Sequence, residues 1–179
     1  MRTIELLTTG GTIEKTYDEF TGALDNRGSI VQRMLSRLKL PETVVHTREV
    51  FSKDSLHITD EERRRIVEAV RTVLGLSPAP DGVVILHGTD TLHVTGELLH
   101  AELAVGGRLT RAVVLTGAMR PFEMKRSDAL QNLTESLLAS TLLPGGVYAV
   151  AHGRALRFPG VVKDREKGTF MGGAMVGPG

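Results

Sequence analysis

The stretch VVILHGTDT at residues 83–91 decides the fold, because a short apolar run there gives way to a glycine and two threonines. The run at residues 4–9 ends in the same way, with TGGTI at residues 9–13. A short apolar run bounded by turn residues is typical of a buried strand in a parallel sheet. The sequence therefore predicts that Thr12 and Thr89 lie where two strands give way to a loop or a helix.

Along the rest of the chain, β-rich runs alternate with helical periodicity, the pattern of a parallel sheet with helices on both faces. We predict one α/β domain over residues 1–170, a three-layer α/β/α fold with a mainly parallel, flavodoxin-like sheet, and a flexible tail at residues 171–179. The predicted strands are residues 4–9, 43–50, 83–86, 112–116 and 147–151, and the predicted helices are residues 30–38, 59–74, 92–103 and 127–138. Residues 14–29 are predicted to form a long mobile loop that closes over a substrate.

The composition excludes several classes of protein. The chain has 179 residues, a net charge of +1 and no cysteine, which excludes disulfides and thiolate chemistry. The basic run at residues 63–65 lies on a helical pattern and is predicted to be a solvated face, so nothing favours nucleic acid. Without an apolar segment of about 18 residues, no membrane span is expected, and the chain fits a cytoplasmic enzyme or binding domain. We expect no metal, because His87 lacks partners at ligand spacing and is predicted to support the strand end.

Several polar side chains follow predicted strands, and ligands bind at the carboxyl ends of such strands. The residues predicted to share that edge are Thr12, Ser55, Thr89, Asp90 and the loop 117–121. A threonine hydroxyl becomes a nucleophile when a neighbouring group, such as a lysine held by Asp90, takes its proton. Gly10 and Gly11 let the backbone approach a ligand closely and present N–H groups to an oxyanion. A phosphate-binding turn has the same local features, so the residues by themselves leave both functions open.

The chain contains TGGTI at 9–13, DSLHIT at 54–59 and HGTDT at 87–91, followed by TGAMRP at 116–121 and Val162-Lys163. These five segments, in this order, resemble the bacterial-type L-asparaginase/glutaminase family. TGGTI and HGTDT correspond to its signature motifs, and DSLHIT to its substrate segment. TGAMRP at 116–121 is similar to the loop after the fourth strand, and Val162-Lys163 to the region of the catalytic lysine. The resemblance covers residues 4 to about 170.

The resemblance implies a cofactor-free enzyme that hydrolyses the side-chain amide of L-asparagine through a threonine acyl-enzyme, releasing L-aspartate and ammonia. Thr12 would be the attacking nucleophile, while Thr89, Asp90 and Lys163 would move protons or activate water. The remaining positions carried over from the family are Ser55 and Asp90 for the substrate's α-carboxylate and α-ammonium, Gly11 and Gly88 lining the substrate site, the Gly11 and Thr89 N–H groups for the oxyanion, and Tyr17 assisting Thr12.

Three features depart from the family pattern. Tyr17 follows Thr12 by only five residues, closer than in the long-chain enzymes, and Leu56 and His57 replace polar and acidic residues of the substrate segment. Long-chain members also have a second, C-terminal domain that reaches a neighbouring protomer's site, and this sequence does not include it. We therefore expect the short-chain branch or an isolated N-terminal domain, acting as a homo-oligomer, a dimer or a tetramer, on L-asparagine or L-glutamine.

Each assignment has a structural alternative. These alternatives are Thr12 as a turn residue, Asp90 as a helix cap, Ser55 as a turn former, Tyr17 as a surface ring and Lys163 as part of a solvated charge run. The alternative functions are a relaxed glutaminase or amidase, acting on glutamine, a peptide or a transfer RNA adduct, and a non-catalytic domain that binds an amino acid or a phosphate. A binding domain would not need two hydroxyls and a lysine, which favours the enzyme.

Overall fold

The computed structural model describes residues 1–107 and 109–176 and contains a seven-stranded mixed sheet and a two-stranded hairpin. The strands are β1 (Arg2–Gly10), β2 (Thr16–Tyr17), β3 (Leu24–Asp25), β4 (Thr43–Lys53), β5 (Gly82–Leu86), β6 (Ala112–Thr116), β7 (Gly146–Ala151), β8 (Arg154–Asp164) and β9 (Thr169–Met175). The α-helices are α1 (Val31–Leu35), α2 (Asp60–Leu74), α3 (Leu92–Leu99) and α4 (Ala129–Leu142). Single turns of 3₁₀ helix occur at Thr12–Glu14 and Ser55–His57, and a wider helical turn at His100–Ala104.

The order of the large sheet is β4-β1-β5-β6-β7-β8-β9, and the first five strands are parallel. Taken in chain order, these five have the order 2-1-3-4-5, which is that of flavodoxin-like sheets. The predicted fold class is therefore confirmed. Because β1 lies between β4 and β5, the direction of winding reverses at β1, and the crevice outside the carboxyl ends of β1 and β5 is the expected ligand site.

Alternate residues of each buried strand face opposite layers of helices. Leu7 and Ile85 belong to the core that packs on α2 and α3, while Leu6 and Leu86 belong to the core that packs on α1 and α4. Strand β5 is buried over its whole length. A strand covered on both faces reads as a continuous apolar run, which explains why residues 83–86 show no alternation.

Helix α2 begins with the capping box that the sequence predicts. The Glu62 N–H donates to Thr59 Oγ1 at 3.2 Å, and the Thr59 N–H donates to Glu62 Oε2 at 3.0 Å. The prediction of a solvated face at residues 63–65 is wrong for Arg63, which is buried, while Arg64 and Arg65 are exposed. Arg63 lies three and four residues before Ile66 and Val67, so it shares the face of the helix that packs on the sheet.

Strands β8 and β9 were not expected. They extend the sheet antiparallel to β7, and Lys163 of β8 pairs with Phe170 of β9. Residues 171–175, which the sequence analysis assigned to a flexible tail, form most of β9, and residues 177–179 lie outside the described part of the chain. The hairpin has charged and exposed positions because it lies at the edge of the sheet, so its sequence shows little apolar periodicity.

The segment predicted as a long loop contains some regular structure. Its β2–β3 hairpin pairs Tyr17 with Leu24. Two helices also differ from the prediction, since α1 is limited to Val31–Leu35 and α4 runs from Ala129 to Leu142. Across residues 1–107 and 109–176, none of the helices is both long and apolar enough to cross a membrane.

Candidate active site

Three segments meet at the crevice between β1 and β5. A Cβ added to Gly11 would lie 2.4 Å from the Cα and the N of Gly88, and one added to Gly88 would lie 2.5 Å from Ser55 Oγ. Only glycines allow such contacts between the segments after β1, β4 and β5. The predicted placement of Thr12, Ser55 and Thr89 at one edge of the sheet is thus confirmed.

Thr89, Asp90 and Lys163 form a hydrogen-bonded group at this edge. Lys163 Nζ lies 2.8 Å from Thr89 Oγ1 and 3.0 Å from Asp90 Oδ1. The Lys163 side chain is only 13% exposed, so it does not belong to a solvated charge run. Helix α3 begins after Thr91, and the contacts of the Asp90 carboxylate in the described residues are with Lys163 and Arg165, which argues against capping as its main role.

Asp90 binds a second cation that the sequence analysis did not identify. Arg165 Nη1 contacts Asp90 Oδ1 at 3.1 Å, so both cations share one carboxylate oxygen. Neither of these two contacts involves Asp90 Oδ2. The β8–β9 hairpin therefore supplies both cations, although the chain separates them from Asp90 by more than 70 residues.

The segment after β1 positions Thr12 but changes one of the predicted roles. Thr12 is half-buried and begins a turn of 3₁₀ helix. The Gly11 N–H donates to the Lys53 carbonyl at 2.8 Å, so the prediction that this N–H faces an oxyanion is wrong. The Gly10 N–H likewise donates within the protein, to Glu14 Oε2 at 3.2 Å, so of the predicted backbone donors the Thr89 N–H is left as the candidate.

Tyr17 lies on the outer side of the loop. Tyr17 is 61% exposed, and its backbone N–H donates to Glu123 Oε2 at 3.1 Å. The structure does not show this ring in a buried position beside the reactive group. The role of Tyr17 in assisting Thr12 consequently stays a prediction.

Two hydrogen bonds connect the loop 14–29 to the segments around the site. Lys15 Nζ contacts Asp54 Oδ2 at 2.7 Å, and this hydrogen bond lowers the pKa of the Asp54 carboxyl. Asn26 Nδ2 donates to the Gly11 carbonyl at 2.9 Å. An open cleft of about 600 Å³ lies between the loop and the end of β4, and Lys15, Asn26 and Asp54 line it. The loop thus forms one wall of a cleft whose other wall includes Asp54, the residue before Ser55.

Glu14 is a buried carboxyl group at the base of the loop. Its Oε2 accepts from the Gly10 N–H at 3.2 Å, and its Oε1 accepts from Ser29 Oγ at 2.5 Å. Burial outweighs these hydrogen bonds and raises the pKa of Glu14 from 4.5 to about 7. This carboxyl, protonated below about pH 7, therefore joins the two ends of the loop.

Glu14→Gln should stabilise the protein at pH 8 relative to the wild type, with little effect near pH 5. Between pH 4.5 and 7 the unfolded wild type has lost the Glu14 proton and the folded protein keeps it, so stability falls as pH rises. The difference amounts to roughly 3 kcal/mol at most. Urea unfolding of both proteins from pH 5 to 8 measures it.

The wild type must be compared with Glu14→Gln because buried His87 changes the free energy of unfolding with pH in the opposite direction. Burial lowers the pKa of His87 from 6.5 to about 4, so its contribution to stability rises with pH. The difference between variant and wild type cancels the His87 contribution. A difference that does not change with pH would contradict the assignment of a protonated Glu14.

The loop after β6 is held against Thr89 by Asp128, which precedes α4, and by Asn132 of α4. Asp128 accepts from the Met119 and Arg120 N–H groups at 2.9 and 3.1 Å, and Asn132 Nδ2 donates to the Gly117 carbonyl at 2.8 Å. Gly117 in turn packs on the His87 carbonyl and the Thr89 methyl group. The loop 117–121 therefore lies beside Thr89 at the same edge of the sheet, as the sequence predicts.

His87 supports the strand end, as predicted, and does so through residues that the sequence analysis missed. The His87 side chain is fully buried and contacts the Gly88 carbonyl and Thr95, and Thr95 contacts Arg63. The sequence feature that favours the burial of Arg63 is its position among the apolar residues on one face of α2. Within residues 1–107 and 109–176, no three histidine, aspartate or glutamate side chains come together as a metal site would require.

The chain is similar to proteins of known family. A family model described as "Asparaginase, N-terminal" matches residues 3–169. The D subunit of the glutamyl-tRNA(Gln) amidotransferase of Methanothermobacter thermautotrophicus is 33% identical over 140 residues, which cover 77% of this chain and 31% of that protein. Its counterpart of the same name from Pyrococcus furiosus is 31% identical over 84% of this chain and 34% of its own length.

Solved structures agree with the fold. The thermostable L-asparaginase of Thermococcus kodakarensis has a TM-score of 0.83 at 27% identity, covering 95% of this chain and 51% of that one. A probable cytoplasmic L-asparaginase of Campylobacter jejuni has a TM-score of 0.78 at 25% identity, covering 96% and 52%. The chain thus spans about half the length of these structures and about a third of the curated relatives.

Proposed function

Because the chain belongs to the asparaginase N-terminal domain family, we propose that it is an L-asparagine amidohydrolase that works through a threonine acyl-enzyme. The observation that carries this proposal is the hydrogen-bonded group of Thr89, Asp90 and Lys163 at the crevice between β1 and β5. A domain that only binds an amino acid or a phosphate has no need of a lysine held on a buried threonine hydroxyl. A proton-transfer group does need one.

In the proposed reaction, Thr12 Oγ1 attacks the amide carbon of the substrate and forms a tetrahedral intermediate. The Thr89 N–H donates to the oxyanion, the bond from carbon to nitrogen breaks, and the nitrogen leaves as ammonia after taking up a proton. A water molecule then attacks the acyl ester and releases L-aspartate and the Thr12 hydroxyl. Thr12 is half-buried while Thr89 is buried, which favours Thr12 as the hydroxyl that reaches a substrate.

The protons in both steps pass through Thr89 and Lys163. Their contact of 2.8 Å is within the range for direct proton transfer. Asp90 Oδ1 holds Lys163 in place, and Asp90 Oδ2 would bind the α-ammonium group of the substrate. Ser55, at the start of its 3₁₀ turn, would bind the α-carboxylate. No metal or cofactor takes part in this scheme.

A second candidate is an amidase that acts on L-glutamine or on an amide joined to transfer RNA, and the name of the curated relatives favours it. One methylene in a pocket changes binding by only about 1–3 kcal/mol, so asparagine and glutamine are both candidate substrates. The net charge of +1 gives no support for a nucleic acid partner within this chain. We also propose that the protein is located in the cytoplasm, since the similar structure from Campylobacter jejuni is described as a probable cytoplasmic L-asparaginase. The homo-oligomer stays a proposal that rests on the family resemblance.

The experiment that tests this function is ammonia release from L-asparagine and L-glutamine by the wild type and by Thr12→Ala. We expect turnover of L-asparagine, and a loss of at least about 10³-fold in the variant, because no other group would form the acyl-enzyme. Thr21→Ala, in an exposed part of the same loop, is the matched control and should retain full turnover.

The other outcomes decide between the candidates. Turnover of L-glutamine in preference to L-asparagine would favour the second candidate. A folded wild type that binds L-aspartate without releasing ammonia from either substrate would overturn the enzyme and favour a binding domain. Turnover that survives in Thr12→Ala would exclude Thr12 as the nucleophile.

A further inference from the structure

Three buried polar side chains form a chain of hydrogen bonds behind the site. Arg63 Nη1 of α2 lies 2.7 Å from Thr95 Oγ1 of α3, and Thr95 Oγ1 lies 2.8 Å from His87 Nε2. His87 Nδ1 lies 2.9 Å from the Gly88 carbonyl oxygen. All three side chains belong to buried residues, so these contacts are shielded from water.

The chemistry of the two ends fixes the direction of every bond. A carbonyl oxygen can only accept, so His87 Nδ1 carries the hydrogen. A guanidinium can only donate, so Thr95 Oγ1 accepts from Arg63 and gives its own hydrogen to His87 Nε2. Burial lowers the pKa of His87 to about 4, which agrees with the neutral ring that this order requires.

The consequence for the site follows from the planarity of the peptide group. The Gly88 carbonyl and the Thr89 N–H belong to one trans peptide, so they point in opposite directions. Because buried His87 holds the carbonyl on the inner side, the Thr89 N–H is directed away from the core. That N–H is the proposed donor to the oxyanion.

Arg63 also connects the segments on either side of the crevice. Its Nη2 donates to the Ile58 carbonyl at 3.3 Å and its Nη1 to Thr91 Oγ1 at 3.4 Å. Thr91 Oγ1 donates in turn to the Ser55 carbonyl at 2.9 Å. The nearest carboxylate, that of Asp60, is 3.9 Å away and 92% exposed, so the buried charge depends mainly on these neutral acceptors.

We propose that Arg63 and Thr95 are positioning residues that, through His87, fix the Gly88–Thr89 peptide so that the Thr89 N–H points at the developing oxyanion. This inference rests on the proposed amidohydrolase function. An oxyanion donor acts in the transition state, so its misalignment lowers kcat and leaves KM nearly unchanged.

Thr95→Val tests the proposal, because valine has the same shape as threonine and lacks the hydroxyl that joins Arg63 to His87. We expect kcat for L-asparagine to fall by about 10- to 100-fold, less than the roughly 10²- to 10³-fold loss when an oxyanion donor is removed outright. KM should change by less than about threefold, and Thr95→Ser should recover most of kcat because it restores the hydroxyl. Thr72→Val, whose hydroxyl bonds the Glu68 carbonyl on an exposed face of α2, is the control.

A second measurement reads the hydrogen bonds without activity. In the wild type, ¹⁵N NMR of the His87 ring should show the hydrogen on Nδ1, and Thr95→Val should change the Nε2 signal because its donor is gone. If Thr95→Val does not fold, Arg63→Met, which removes the buried charge and the donor, should show the same loss of kcat.

The results separate this proposal from the function on which it rests. Normal turnover in Thr95→Val, or a wild-type ring with its hydrogen on Nε2, would overturn the positioning role and leave the amidohydrolase standing. A wild type without turnover would overturn the proposed function and the positioning role together. A rise in KM without a fall in kcat would also contradict the proposal, since it would show a role in ground-state binding.

Discussion

Lys163→Met is expected to lower kcat for L-asparagine by about 10²- to 10⁴-fold, the usual contribution of general acid–base catalysis. Lys163 Nζ is the group in contact with the Thr89 hydroxyl, at 2.8 Å, so its removal leaves that hydroxyl without a partner for proton transfer. The fold should persist, because Arg165 still contacts Asp90 at 3.1 Å and the carboxylate is not left without a cation. Steady-state kinetics and thermal unfolding measure the two effects.

Lys163→Arg separates two roles that Lys163→Met removes together. Arginine keeps the positive charge and the donors but stays protonated in proteins, so it cannot accept the proton of Thr89. If Lys163 acts as a base, both variants should be inactive. If it acts only through its charge, Lys163→Arg should keep much of the activity, and the proposed proton transfer would be wrong.

Lys167→Met is the matched control for these variants. Lys167 lies in the turn of the same hairpin, its side chain is 77% exposed, and it contacts Asp164 at 3.7 Å. An ion pair whose lysine is this exposed contributes little to stability, so the variant should match the wild type in kcat and in thermal unfolding. A loss in Lys167→Met equal to that in Lys163→Met would assign the effect to the hairpin's charge and not to the contact with Thr89.

The inner strands β5, β6 and β7 could be predicted from the sequence because they are buried over their whole length. Apolar runs such as residues 83–86 and 112–116 have no other stable place in a protein of this size. The start of α2 was equally predictable, since Thr59 and Glu62 satisfy each other's backbone N–H groups without help from the rest of the fold. The sequence was thus sufficient to predict an element whose structure depends on residues that are close together in the chain.

The β8–β9 hairpin could not be predicted in this way, and the reason is its position at the sheet edge. Its exposed strand β9 contains two adjacent glycines and few buried side chains, so its pairing with β8 depends on the sheet that is already formed. The alternating burial of Leu156, Phe158 and Val161 is interrupted by Pro159 and Gly160. The location of Lys163 at the site was therefore given by the family resemblance and not by periodicity.

The burial of the Arg63 side chain could not be predicted from the sequence either. Its position on the apolar face of α2 could be read from the helical period, but a basic residue within a run of three arginines is normally solvated. Only the tertiary structure supplies Thr95, Thr91 and the Ile58 carbonyl as acceptors. A buried cation becomes predictable when the segments that carry its acceptors are known.

Gly11→Ala is expected to destabilise the protein by roughly 2–6 kcal/mol, the sum of backbone strain and a forced contact. Gly11 has φ +83° and ψ 179°, a region that residues with a Cβ rarely occupy. The added methyl group would lie 2.4 Å from the Gly88 backbone, which cannot move aside as a side chain can. Urea unfolding measures the loss of stability, and ammonia release should fall as well because the contact separates Thr12 from Thr89.

Gly22→Ala isolates the first of these contributions, because Gly22 has φ +70° with no atom within 4 Å of the added Cβ. It should cost only about 1–2 kcal/mol of stability and leave turnover unchanged, since the hairpin of the loop has room for the methyl group. Equal stability of Gly11→Ala and Gly22→Ala would show that Gly11 and Gly88 do not approach as closely as the structure indicates. A large difference between them would show that the close approach of Gly11 and Gly88 holds the two threonine-bearing segments together, which is the geometry on which the proposed chemistry depends.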